Sequence, residues 1–160
     1  MQIRRASPRD APEIANVIVP AFREGLTYAI DSDIPEADAL SYWLSPDKST
    51  FVAEADNQIL GTYYMRPNQA GGGRHVCNCG YITRSEAVGR GIARAMCIHS
   101  LEFARSSGYR AMQFNFVVST NERAVRLWQS MGFTVVGRLP EAFLHPTRGF
   151  VDALVMHQTL

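Results

Sequence analysis

The sequence reads as a mixed α/β (α+β) fold, and three observations carry that reading. Short strand-like segments recur along the chain and alternate with runs of helical period. A polar stretch, Thr83-Arg84-Ser85-Glu86-Ala87, leads into Val88-Gly89-Arg90-Gly91-Ile92-Ala93, after which Ala93, Met96, Cys97, Leu101 and Ala104 fall on one helical face. A second capped helix opens at Thr120 or Asn121 and closes at Gly132, and Phe133 then starts a strand.

Taken in order, Gln2 to Ala6 is a strand, and Pro8 to about Phe22 is a helix with Ser7 as cap and Pro8 at its first position. Pro35 to Leu44 is a shorter helix. Thr50 to Ala55 and Gln58 to Met65 form a hairpin around Asp56-Asn57. Ala70-Gly71-Gly72-Gly73 reads as a flexible link to a strand at about His75 to Thr83. The helix from Gly89 to Ser107 stops at Gly108, and Ala111 to Val118 is a strand. The helix from Asn121 uses Ala124, Leu127, Trp128 and Met131 as its apolar face. Phe133 to Gly137 and Gly149 to Gln158 are strands, and Leu139 to Arg148, with Pro140 and Pro146, reads as a long loop suited to shaping a substrate site.

Composition narrows the class. The chain has 160 residues, enough for one domain with a real core, and the expectation is a single domain over 1–160. A formal net charge of +1 argues against an electrostatic nucleic-acid binder. The apolar runs are too short to span a bilayer, and Met1-Gln2-Ile3-Arg4-Arg5 has no signal-peptide core, so no membrane association is expected. Cys77, Cys79 and Cys97 form no disulfide framework, which points to a reducing cytoplasm. His75-x-Cys77-x-Cys79 shares one strand face, but no second ligand pair follows it. Small buried cysteines explain it better than a metal, and no metal is expected.

The turn at Gly89 and Gly91 carries the first chemical signal. A helix start offers unpaired N–H groups and the positive end of the macrodipole, and glycine lets a ligand approach the backbone closely. The chain has no Gly-Lys dipeptide, which excludes a Walker A loop, and Arg94 stands where a dinucleotide fingerprint needs a small residue.

The two glycine-bounded helices together resemble the GNAT superfamily of N-acetyltransferases, which use acetyl-CoA. The family's pyrophosphate loop, Arg/Gln-x-x-Gly-x-Gly/Ala, falls on Val88-Gly89-Arg90-Gly91-Ile92-Ala93. Its later helix, Asn-x-x-Ala-x-x-Leu/Phe-Tyr-x-x-x-Gly-Phe, falls on Asn121, Ala124, Leu127, Trp128, Gly132 and Phe133. The resemblance runs from Ile3 to the last strand. It implies a GNAT fold, with a central mixed, mostly antiparallel sheet of about six to seven strands and flanking helices. It also implies acetyl-CoA as cosubstrate, held by Tyr81, Ile82, Thr83, Val88 to Ala93 and Asn121. The acetyl group would lie beside Tyr81-Ile82-Thr83, where that strand splays from the one ending near Val118.

Two departures matter. Val88 replaces the usual Arg or Gln, in a loop whose contacts are largely backbone. Trp128 replaces the tyrosine that protonates the leaving thiolate in many members, and an indole N–H does not titrate usefully. A thiolate of pKa about 8.5 leaves unprotonated near pH 7 at a cost of only about 2 kcal/mol, so this change does not abolish catalysis.

No acid lies between His75 and Thr83 or between Ala111 and Asn121, so no general base is evident. The catalytic candidates are Asn115, Asn121, Trp128 and Tyr81. Phe114-Asn115-Phe116-Val117 followed by Asn121 weakly resembles the azetidine-2-carboxylate (proline-analogue) acetyltransferases within the superfamily. Asn115 reads equally as a strand residue bonded to a loop. His75 reads as a packing or strand-edge residue. The expected reaction is acetyl transfer to the amine of a small molecule or amino acid, with a homodimer as the assembly carried forward. The rivals are a protein or peptide N-terminal acetyltransferase and a non-catalytic acyl-CoA sensor.

Overall fold

Residues 1–160 are all described by the computed structural model. Seven strands form one sheet in the order β1-β2-β3-β4-β5-β7-β6. They are β1 (Gln2–Arg5), β2 (Ser49–Ala55), β3 (Gln58–Pro67), β4 (Val76–Thr83), β5 (Ala111–Val118), β6 (Thr134–His145) and β7 (Gly149–Thr159). Every neighbouring pair is antiparallel except β4–β5, which is parallel. The four helices are α1 (Ala11–Glu24), α2 (Glu36–Trp43), α3 (Ile92–Ser106) and α4 (Glu122–Ser130).

Alternation along the strands builds a core on each face of the sheet. Val52, Tyr64 and Ile82 face α1 and α2, where they meet Ile14, Ile18, Phe22 and Trp43. Their chain neighbours Phe51, Tyr63 and the half-buried Tyr81 face the other way, toward Met96, Cys97 and Leu101 of α3 and Trp128 of α4. All three cysteines are buried and unpaired, and they pack on this second face as small apolar side chains.

The turn chemistry follows the sequence. Asp56 and Asn57 both have positive φ, 52° and 60°, as a two-residue hairpin loop requires. Gly25, Gly108 and Gly132 end α1, α3 and α4 in the left-handed region, at φ 63°, 82° and 98°. Ser7 precedes a 3-10 turn, Pro8–Asp10, and α1 proper begins one residue later. Asp10 accepts from the Ser7 amide (2.7 Å) and pairs through both oxygens with Arg4 (2.8 and 2.9 Å). That guanidinium, with the Ser7 donors, holds the Asp10 carboxyl far below the usual carboxylate range.

Two expectations are corrected. Leu139 to Arg148 is not a long loop. Strand β6 continues to His145 and pairs with β7 through Leu139↔Ala153 and Phe143↔Val151. Pro140 is tolerated because β6 is the outermost strand and Pro140 lies where the register slips between Leu139 and Phe143. No ladder amide is needed there. Gly71–Gly73 is a 3-10 turn rather than an irregular link, and Asn68 N–H closes onto Val76 O (2.8 Å) beside it. No helix is long and apolar enough to cross a membrane.

Candidate active site

The central event is the parting of β4 and β5. They pair only at Val76↔Ala111 and Cys77↔Met112. Just beyond, the Asn78 side chain donates to Gln113 O (2.9 Å) across the opening gap. On its other side β4 stays paired with β3, and Arg84 N–H donates to Leu60 O (2.9 Å). Antiparallel alternation then directs the backbone groups of Gly80 and Ile82 toward β3 and those of Tyr81 and Thr83 into the gap. The Tyr81 carbonyl accepts from the Tyr28 hydroxyl (3.1 Å). The Tyr81 and Thr83 amides are left as preorganised donors, the arrangement that stabilises a developing oxyanion.

The loop after β4 is a second set of free donors. Ser85–Ala87 forms a 3-10 turn, and Gly89 and Gly91 take φ values of 93° and 79° before α3 begins at Ile92. The first intrahelical bond is Ala95 N–H to Gly91 O, and Arg90 N–H is taken by Ala87 O. The amides of Gly89, Gly91, Ile92, Ala93 and Arg94 have no acceptor in the protein. They sit at the positive end of the α3 dipole. A Cβ on Gly91 would meet no protein atom within 4 Å, and one on Gly89 would lie 3.6 Å from Arg123 Nη2. Arg123 makes no ion pair, so the loop has both free amides and a free cation, a donor set that fits a diphosphate.

This loop, the end of β4, α1 and α4 enclose a cleft of about 670 Å³. A second cavity of about 370 Å³ lies on the other side of the gap, walled by β3, β5 and the segment between α1 and α2. Thr27, Tyr28, Tyr81, Asn121, Ala124 and Trp128 belong to both. The larger cleft therefore opens into the smaller one beside the free amides of β4.

The residues expected from sequence separate into three groups. Ile82, Thr83, Val88, Gly89, Gly91, Ile92 and Ala93 line the large cleft, whereas Arg90 is not part of its wall. Asn121 lies at the junction and caps α4 by accepting from Ala124 N–H (3.4 Å). Trp128 is also at the junction, 8% exposed, with its ring 4.9 Å from that of Tyr81 and 5.1 Å from that of Phe114. Its indole N–H has no protein partner and remains accessible from the junction.

Tyr81 is a catalytic candidate whose hydroxyl is already engaged. Its hydroxyl points into the α3 face, bonded to Ser100 Oγ (2.7 Å), and burial pushes its ionisation well above the ordinary phenol range. Asn115 lines the small cavity, but its amide is tied to Asn68 Oδ1 (2.6 Å) and Gln113 Nε2 (3.0 Å), the strand-to-loop role weighed from sequence. His75 is exposed, at the far end of β4 and outside both cavities. Sequence reading missed Tyr28, Tyr42, Tyr64 and Arg66 in the small cavity, whereas Asn78 stood among the polar groups it named on the central strands. Arg123 lay within the quoted helix motif and was passed over.

The profile of the acetyltransferase (GNAT) family matches residues 12–133. The chain belongs to that family, whose members draw the acetyl group from acetyl-CoA. Among solved structures, a GCN5-related N-acetyltransferase from Kribbella flavida is 42% identical, with 99% of this chain and 97% of that one aligned at a TM-score of 0.94. A phosphinothricin acetyltransferase from Sinorhizobium meliloti, solved in complex with AcCoA, shares the fold at 18% identity and a TM-score of 0.88, over 99% of this chain and 88% of that one. N-acetyltransferase aca1 of Schizosaccharomyces pombe is 34% identical over 116 residues, 69% of this chain and 54% of that protein. The chain thus spans about half the length of this curated relative.

Proposed function

We propose that this chain transfers an acetyl group from acetyl-CoA to the amine of a small molecule or amino acid, by direct attack of the amine on the thioester. One observation carries the reading: two cavities of unequal size meet where β4 presents unpartnered backbone amides. The larger has the free loop amides and Arg123 for a diphosphate. The smaller has room for a compact acceptor.

In this reading the diphosphate lies on the amides of Gly89 and Gly91 to Arg94, with Arg123 as counter-cation. The gap-facing amides of Tyr81 and Thr83 receive the carbonyl oxygen as charge develops on it. Trp128 packs its ring at the junction and holds the reacting end in place. No Asp, Glu or His lines the small cavity, so the acceptor enters as the neutral amine. The nitrogen of the adduct gives up its proton to water or to the departing thiolate, and a thiolate that leaves unprotonated does so at the small cost given above.

The test is free-thiol release from acetyl-CoA over an amine panel, with mass spectrometry of the products. Acetylated small amines are expected. Acetylation of peptide N-termini alone would replace the acceptor class. Tight acetyl-CoA binding with no turnover on any amine would leave an acyl-CoA sensor.

A further inference from the structure

The walls of the small cavity contain one charged side chain, Arg66, and no acid. A site that recognises an acceptor by positive charge needs carboxylates, because a buried ammonium without a counter-ion is costly. The aromatic surface there is also taken. Tyr42 and Tyr64 are cavity walls, and the Lys48 ammonium lies 3.5 Å above the first ring and 4.4 Å from the centre of the second. A cationic acceptor would find that cation site already filled.

Arg66 itself has capacity to spare. Nη1 contacts Asp47 Oδ2 at 3.2 Å in a pair that is half exposed on both sides, and no other bond engages the guanidinium. Such pairs are weak, and the remaining N–H groups form a fork that suits a second carboxylate. Position agrees. Arg66 is opposite Asn78 on β4, three residues short of Tyr81. That is about 10 Å along the strand, a distance that an arginine side chain and one small amino acid bridge together. The floor between them is Gly80, where a Cβ would come within 2.6 Å of Tyr64 Cε1 and 3.0 Å of Tyr28 Oη.

We infer that the acceptor carries a fixed negative charge, a carboxylate or an equivalent oxyacid, which Arg66 holds while the acceptor amine reaches the gap between β4 and β5. This rests on reading the small cavity as the acceptor site. Arg66 is then the residue that sets specificity.

The experiment compares acceptors that share side chain and amine: a free amino acid, its primary amide, its decarboxylated amine, and a peptide beginning with the same residue. Thiol release gives kcat/KM for each, with melting temperature as the folding control. The free acid should lead the amide by at least about tenfold, the scale of one charge-assisted hydrogen bond. Arg66→Gln should bring that ratio toward one, and Arg66→Lys should restore part of it. Asp47→Asn, which removes the competing carboxylate, should raise the ratio. An amide, amine or peptide that matches the free acid overturns the inference and leaves acetyl transfer standing. So does an acid preference that survives Arg66→Gln in a folded variant, or a ratio that does not rise in Asp47→Asn. Absence of thiol release with every acceptor, despite acetyl-CoA binding, overturns the transfer reading and this inference together.

Discussion

Replacing Gly91 by valine separates backbone strain from ligand contact, because the structure supplies a matched control. Gly91 and Gly108 have nearly the same φ, 79° and 82°, and at neither would a Cβ meet a protein atom within 4 Å. Both substitutions therefore carry the left-handed penalty of an L-residue and little else, about 1–2 kcal/mol. For a domain of this size that lowers the melting temperature by roughly 2–8 °C. The difference lies in what each faces. Gly91 is on the wall of the large cleft, among five free amides, and Gly108 ends α3 away from it. An isopropyl group at Gly91 displaces a phosphate from one or two amide contacts. At about 1.5–3 kcal/mol for each charge-assisted bond, acetyl-CoA affinity should fall at least tenfold and by several hundredfold if two are lost. Calorimetric titration of acetyl-CoA into Gly91→Val and Gly108→Val, with both melting temperatures recorded, is the assay. Equal dissociation constants in two folded variants would refute the assignment of this loop to the diphosphate.

Three further outcomes are expected. Trp128→Phe should keep most turnover, because the ring remains. Trp128→Ala should lose roughly 3–5 kcal/mol of stability through packing, and Trp128→Tyr should gain no more than the thiolate cost of about 2 kcal/mol, some thirtyfold. A hundredfold fall in turnover for folded Trp128→Phe would give the indole N–H a task in holding the acceptor. The rate should rise with pH through the acceptor's own amine pKa, about 7.7–8.0 for an α-amino group, and His75→Ala should leave that profile unchanged. Activity that switches on near pH 6.5 for acceptors of very different basicity and disappears in His75→Ala would contradict the geometry. Asp10 has a folded pKa below its unfolded value of about 3.9, so its contribution is complete above that pH and is lost as pH falls through the folded value. Asp10→Asn should cost about 2–3 kcal/mol at pH 7, less than a fully buried pair because Arg4 is partly solvated, and should flatten the loss of stability below pH 4. Parallel acid-unfolding profiles for variant and wild type would exclude that role.

Local rules made most of the fold legible. Glycines at 25, 91, 108 and 132 all adopt the positive φ that helix punctuation calls for, and Asp56-Asn57 turns the hairpin its flanking strands imply. The main error was at Leu139 to Arg148. Pro140 reads as a loop when only its own neighbours are considered, and nothing local says that this strand will be outermost, where a missing amide is harmless. The loop proposed for the cofactor is legible because a helix start and its glycines are contiguous in sequence. The cavity proposed for the acceptor is not. Tyr28, Tyr42, Tyr64 and Arg66 come from three separate segments, and only tertiary packing brings them to one cavity. Tyr81 shows the limit within a motif. Its backbone faces the gap as expected, while strand alternation sends its hydroxyl to Ser100 on the opposite face.

The short β4–β5 pairing has a consequence for where the molecule breathes. The middle of a seven-stranded sheet is ordinarily its most protected region against solvent exchange, since its amides are bonded alternately to the strand on either side. Here Tyr81 and Thr83 sit in the fourth of seven strands, and their amides have no ladder partner on the gap side. Their deuterium uptake should resemble that of a loop, set against the slow exchange of Gly80 and Ile82 one residue away. A cosubstrate seated in the gap would close that difference, so occupancy of the cleft can be read from two backbone positions without any turnover.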